Sequence, residues 1–337
     1  MTNLPNSPPT LQGEWNADRL LSLSLNLHGI SVELRTSCAS LLTYCRSLFR
    51  RYVSPCQRQP GIVLQLELVD FPVVLPALAS SGVVVHRGQG IICTTDQRYF
   101  FVELDGRGTL VIDRSTSIVT GQVTPVLLTD QNLLNRLLVG SLVLLLREQG
   151  IFPVHGFAVA RDGWGALFVG SSGTGKTTAG LGLVQAGWGF LSNDLSLLCE
   201  AGHRVHVLCS PEQVHITAET ASFFPELQPL IETGGGKFAF YVEDIYPHAV
   251  VDRAEVKWLL FPRVRQNQLT QLKRMTKSGA LIALLPHSLA AWDRAMVPAH
   301  FSLLSRLVET ALAYRVDLAA DFHRLSSLLA DLPDETS

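Results

Sequence analysis

The stretch FAVARDGWGALFVGSSGTGKTTAGLGLVQAGWGFLSND, residues Phe157–Asp194, decides the fold. Its centre, Gly170-Ser171-Ser172-Gly173-Thr174-Gly175-Lys176-Thr177, satisfies the spacing G-x-x-x-x-G-K-[ST], in which glycines let backbone N–H groups close on phosphate oxygens. Lys176 adds a point charge at the β- and γ-phosphates, the Thr177 hydroxyl is placed to ligate Mg²⁺, and Thr178 completes the binding set. The helix that begins near Gly175 directs its positive end at the same anion. Both flanks agree: ALFV before the loop is a short apolar strand, and TTAGLGLVQAG after it is a helix ended by Gly187. ATP with Mg²⁺ is the expected ligand.

Element lengths then place Asp194. A helix from about Gly175 to Gly187 climbs roughly 20 Å away from the phosphates at 1.5 Å per residue. The return strand, from about Trp188 to Asn193, recovers roughly 20 Å at 3.3 Å per residue. Asp194 therefore returns to the phosphate edge, where a carboxylate reaches Mg²⁺ or an incoming hydroxyl. Upstream, HGFAVA and ALFVG are strand-like runs joined by RDGWG, and Asp162-Gly163 is a tight-hairpin signal. The strand that feeds the loop is thus expected to pair antiparallel with its predecessor, unlike the first strand of switch GTPases and motor ATPases.

The rest of the chain bounds this reading. At 337 residues, two folded domains are the expectation: a tail over 1–20, an α+β domain over 21–150, and a loop-bearing α/β domain over 151–337. Hydrophobic residues make up 47% and charged residues 17%, too apolar a balance for disorder. Lys plus Arg number 27 against 29 acidic residues, so no global field draws the protein onto nucleic acid or an anionic membrane. The six cysteines show no C-x-x-C spacing, which points to reduced thiols in a cytoplasm. The N-terminus lacks the basic-then-apolar pattern of a signal peptide, and the apolar run Leu137 to Leu146 is about half of the ~20 residues needed to cross a bilayer.

In the N-terminal half, SLSLNLHGISVEL reads as a strand and CASLLTYCRSLFRRYV as a helix, followed by the short strand-like runs of an antiparallel sheet. His28, His86 and Asp105 stand alone there and read as structural. Thr129-Asp130 caps a helix ending at Gly150 that joins the two domains.

Several residues together resemble the HPr kinase/phosphorylase family and its bacterial relatives, which share their fold with phosphoenolpyruvate carboxykinase. They are Val154-His155-Gly156, the hairpin, the loop Gly170 to Thr177, the short helix ending at Gly187, and the next strand. The stretch GKFAFYVEDIYPHAVVDRAEVKWLLFPRV and the closing VDLAADFHRLSSLL look similar too, so the likeness covers about Phe152 to Leu329. It implies an HPr-kinase-like P-loop fold, an ATP- and Mg²⁺-dependent kinase, and a hydroxyl acceptor. The closer likeness is to kinases encoded with ribosomally made peptides such as lasso peptides, which phosphorylate a serine of the precursor. A peptide or small protein is then the partner, and ring-like homo-oligomers are known in the family. Two departures stand out: the family's paired aspartates appear as Asn193-Asp194, and its Arg-Gly-x-Gly-Ile-Ile run is replaced around IETGGGK.

In this reading Asp194, Lys176 and His155 are catalytic, and Thr177 and Asp194 hold the metal. His155 either relays a proton or packs between layers. Gly234-Gly235-Gly236-Lys237 is either a lid or a plain loop, and Arg263 either faces the γ-phosphate or pairs with an acidic neighbour. Arg253 and Arg265 are weaker candidates, and His203, His206 and His215 do not converge on a metal. A nucleotide-binding partner without transfer activity and a small-molecule kinase are the alternatives.

Overall fold

The computed structural model describes residues 20–56, 59–72, 82–88, 90–231, 237–265, 268–288 and 293–332. The chain is a mixed α/β protein that divides into two compact units, Met1–Gln149 and Gly150–Ser337. Among the described residues no helix is long and apolar enough to cross a membrane. The tail expected over 1–20 and the glycine run at Gly234 to Gly236 lie outside the described residues, apart from Leu20.

The first unit holds strands β1 (Leu21–Leu27), β2 (Ile30–Thr36), β3 (Ile62–Leu68), β4 (Val83–Gly88), β5 (Ile91–Thr95), β6 (Tyr99–Glu103), β7 (Gly108–Asp113) and β8 (Ile118–Val123). They form one sheet in the order β1-β2-β3-β8-β7-β6-β5-β4. Two expectations are corrected here. SLSLNLHGISVEL is a hairpin rather than one strand, because His28 (φ 55°) and Gly29 (φ 95°) both take the left-handed conformation that a two-residue turn requires. The sheet is also mixed, since β3 runs parallel to both β2 and β8. Asp105 (φ 45°) is likewise a turn residue. The helix Gln131–Leu146 is capped by the Asp130 side chain, which accepts from the Leu133 N–H at 3.0 Å.

The second unit holds β9 (Ile151–Arg161), β10 (Trp164–Val169), β11 (Gly189–Ser192), β12 (Leu195–Ala201), β13 (Arg204–Leu208), β14 (Val214–Thr217), β15 (Lys237–Phe240), β16 (Arg253–Val264), β17 (Gln271–Arg274) and β18 (Leu312–Leu318). The hairpin read at Asp162-Gly163 joins β9 to β10, with φ of 54° and 83° at its two turn residues. Alternation along β9 explains its double burial. Phe157 and Val159 face one core with Trp258, Leu260 and Val316, while Ala158 and Ala160 face another with Leu259, Leu303 and Leu307.

Strand directions build the site. β10, β16 and β18 run parallel to one another, whereas β9 runs antiparallel to β10, and β11 antiparallel to β9. The carboxyl ends of β10, β11, β16 and β18 therefore share one sheet edge with the residues around His155 on β9. That edge is where ligands collect in open α/β sheets.

Candidate functional site

The loop Gly170 to Gly175 leaves the end of β10 and enters the helix Lys176–Gln185. Gly175 has φ 91°, and a Cβ there would lie 2.9 Å from the Leu318 side chain, so conformation and space both call for glycine. The helix lies tight on the sheet because it carries glycine where it crosses aromatic rings. A Cβ on Gly180 would meet the Phe157 ring at 2.2 Å, and one on Gly182 the Phe322 ring at 2.7 Å. Neither contact was legible beforehand, although the glycine spacing in TTAGLGLVQAG was its visible trace.

Lys176 is only 5% exposed. Its Nζ donates to the carbonyl oxygens of Gly170 at 2.7 Å and Ser171 at 3.0 Å, while Thr174 Oγ1 donates to the Ser171 oxygen at 2.9 Å. These bonds hold the cation under the loop. The Lys176 Nζ also lies 3.4 Å from His155 Nε2, and His155 Nδ1 lies 3.0 Å from the Asp194 carbonyl oxygen. One neutral tautomer serves both contacts: Nδ1–H donates to the carbonyl and Nε2 accepts from the ammonium. His155 thus ties β9 to both the lysine and the turn that carries Asp194.

That turn has a support the sequence reading missed. Glu212 Oε1 accepts backbone N–H groups from Asn193, Asp194 and Leu195 at 2.5, 3.1 and 3.2 Å, and the Ser210 hydroxyl at 2.9 Å. Withdrawal of this carboxyl from water pushes its pKa up to about 7 against the pull of those donors. Asn193 is 1% exposed, and neither polar atom of its side chain has a hydrogen-bond partner among the described residues. A carboxylate 18 residues from Asp194 in the chain leaves no local pattern, so no spacing rule finds it.

A cavity of about 880 Å³ opens on this edge. His155, Lys176, Thr177, Thr178 and Asp194 line it together with Ser172, Gly173 and Gly175 of the loop. The structure therefore brings these sequence-selected residues into the lining of one cavity. Gly170, Ser171 and Thr174 lie in the same loop without lining the cavity, and the first two supply the carbonyls that hold Lys176. The cavity is also lined by Thr220 and Phe223 after β14, Gln268 after β16 and Phe322 after β18, which sequence reasoning passed over, and by Arg265, which it gave only as a weaker candidate. Phe223, 45% exposed, stands edge-on to Phe322 with ring centroids 5.5 Å apart. His287 is a further group near the site. Burial, with the His155 and Lys176 side chains beside it, holds its imidazole below the usual range.

Other candidates separate from the site. Arg263 is bound to Asp317 through both Nε and Nη2, which is the pairing alternative of the sequence reading. Arg253 starts β16, at the end opposite the cavity. His203 and His206 belong to the β12–β13 turn and β13, and only His215 of that trio reaches the cavity. Among the described residues no group of three or more His, Cys, Asp or Glu side chains is placed to hold a metal ion. Such a set is unnecessary for Mg²⁺, which is commonly bound by one or two carboxylates with substrate phosphates and water. The side chains of Thr177 and Asp194 on one wall fit that mode.

No family model matches the chain, and no curated protein matches it. Among solved structures, the HPr(Ser) kinase/phosphatase from Coxiella burnetii matches at 14% sequence identity with a TM-score of 0.31, covering 53% of this chain and 94% of that one. A superposition this loose carries no weight for fold or chemistry. The functional reading rests on the site itself.

Proposed function

We propose that the protein is an ATP-dependent kinase with an HPr-kinase-like P-loop domain, which transfers the γ-phosphoryl group to a hydroxyl, a serine of a peptide or small protein. The observation that carries this reading is the convergence of the glycine-rich loop, Lys176, Thr177, His155 and Asp194 in the lining of one cavity. Phosphoryl transfer requires alignment and charge neutralisation more than covalent help. The loop N–H groups and Lys176 take the phosphate oxygens, and Thr177 and Asp194 are the residues that would hold Mg²⁺, which would supply charge neutralisation at the phosphates. Lys176 exchanges its carbonyl partners for phosphate oxygens at little cost, since it is already desolvated in place. Asp194 or His155 accepts the acceptor's proton; in the tautomer described above, His155 presents its unprotonated Nε2 on the lysine side.

A second reading, nucleotide binding without transfer, draws on Asn193. The resembling family carries a carboxylate there, and this chain carries a buried amide without a partner among the described residues. Transfer of label from γ-labelled ATP with Mg²⁺ into a polypeptide acceptor separates the two. Label that appears with the intact protein and is absent with Asp194→Asn supports the kinase. Binding of ATP with no labelled product from an extract of the source organism supports the second reading.

A further inference from the structure

At the carboxyl end of β16 and β18 the sheet gathers positive charge around a single acid. Asp317 is 1% exposed, and both its oxygens are engaged: by Arg263 through Nε and Nη2, by Lys273 Nζ at 3.0 Å, and more loosely by Arg265 Nε at 3.9 Å. These cations hold its carboxyl down at about 2. Arg315 stands directly opposite Lys273 in the β17–β18 register and is exposed, with no hydrogen bond or ion pair among the described residues. Four cations against one carboxylate leave three positive charges on a chain whose net charge is −2.

Like charges directly opposite on a sheet destabilise it. A lysine on an edge strand is a common guard against unwanted strand pairing, and β17 is such an edge. That guard accounts for Lys273 alone. Asp317 accounts for Arg263, which leaves Arg265, held only at 3.9 Å just after β16, and Arg315, whose side chain has no partner among the described residues. A local conflict kept without compensation inside the protein points to a compensating anion outside it. The patch borders the cavity at the sheet edge through Arg265, which lines the cavity and stands 3.9 Å from Asp317.

We propose that Arg263, Arg265, Lys273 and Arg315 form a docking surface for an acidic segment of the polypeptide acceptor, next to the hydroxyl that enters the cavity. The inference rests on the kinase reading for the word acceptor, and on the charge geometry for the rest. Three neighbouring strands spaced about 4.8 Å apart make a patch about 10 Å across. Same-face residues of an extended peptide recur about every 7 Å, so the patch spans a run of two or three acidic side chains. A nucleic acid fits less well. Strong binding to it draws on roughly 6–10 neutralised phosphates, more than four cations on a net-acidic chain supply.

The test is fluorescence anisotropy with the full chain and no nucleotide. The probe is a labelled serine peptide with three glutamates beside the serine, compared with the same peptide carrying glutamines. The glutamate peptide binds about tenfold tighter or more, and the advantage fades with added salt. Lys273→Glu and Arg315→Glu each remove most of it while leaving ATP binding unchanged, which also shows that both variants fold. Equal affinity for the two peptides overturns the proposal. So does a preference that survives both variants, or an oligonucleotide of matched charge that binds as tightly as the peptide. Peptide preference without phosphoryl transfer counts against the kinase reading and leaves the surface standing. Transfer without peptide preference does the reverse.

Discussion

Each unit is built on a large sheet, and the candidate site lies on the second. In the first unit, β4 to β8 follow one another as antiparallel neighbours, so successive strand ends alternate between the two edges and chemistry-bearing residues scatter. His28 and Asp105 are spent on turns. In the second unit, crossover connections make β10, β16 and β18 parallel and bring residues distant in sequence to one edge. Sheet size therefore says little about function. What matters is whether the connections return the chain in one direction, so that several strand ends and a helix N-terminus meet.

The sharpest way to break this contrast is a pair of substitutions, one per unit. Lys176→Ala lowers phosphoryl transfer from γ-labelled ATP by roughly a thousandfold or more, the scale of losing one charge-stabilising group in a closed site. His86→Ala, on an exposed position of β4, leaves transfer within about twofold, as expected of a surface change worth at most ~0.5 kcal/mol. A large loss from His86→Ala would place function in the first unit as well.

Glu212→Ala comes next. It releases three backbone N–H groups at once, and leaving a buried donor unsatisfied costs about 1–3 kcal/mol. Transfer falls by roughly 10- to 100-fold through kcat while ATP affinity holds, because Lys176 and the loop are untouched. Steady-state kinetics at saturating and limiting ATP read the split. An equal rise in KM would mean that Glu212 supports the loop rather than the Asp194 turn.

Gly180→Ala tests packing rather than chemistry. The added methyl meets the Phe157 ring, and overpacking of this kind costs about 1–3 kcal/mol, read as a lower urea midpoint at unchanged m-value. The smallest effect belongs to Asp317. Its carboxyl is lowered from its ordinary 3.8 to about 2, so its stabilisation is fully present above pH 3.8 and is lost as pH falls toward 2. Asp317→Asn removes that slope in acid titrations. It costs roughly 1–2 kcal/mol near neutral pH, discounted because the partner arginine and lysine side chains are 38% and 53% exposed.

Part of the fold and of the site was legible from local pattern alone. The Asp162-Gly163 hairpin, the loop from Gly170 to Thr177, and the helix after it each declare themselves within a few residues. The position of Asp194 followed from element lengths. By contrast, His28-Gly29 was read through as strand, because alternation continues on both sides of the turn and only the glycine marks it. Lys176 identified itself by motif, whereas the carbonyls of Gly170 and Ser171 that hold it became visible only with the loop's shape.

The sequence by itself singled out the candidate residues and the local elements that present them, since turn conformation, helix capping and strand alternation act over a few bonds. Tertiary structure alone decided that Glu212 braces Asp194, that Phe322 and Arg265 face the loop across one cavity, and that Asp317 is shared by cations from β16 and β17. Those pairings depend on strand order and register, which long-range burial selects and short-range sequence pattern leaves open.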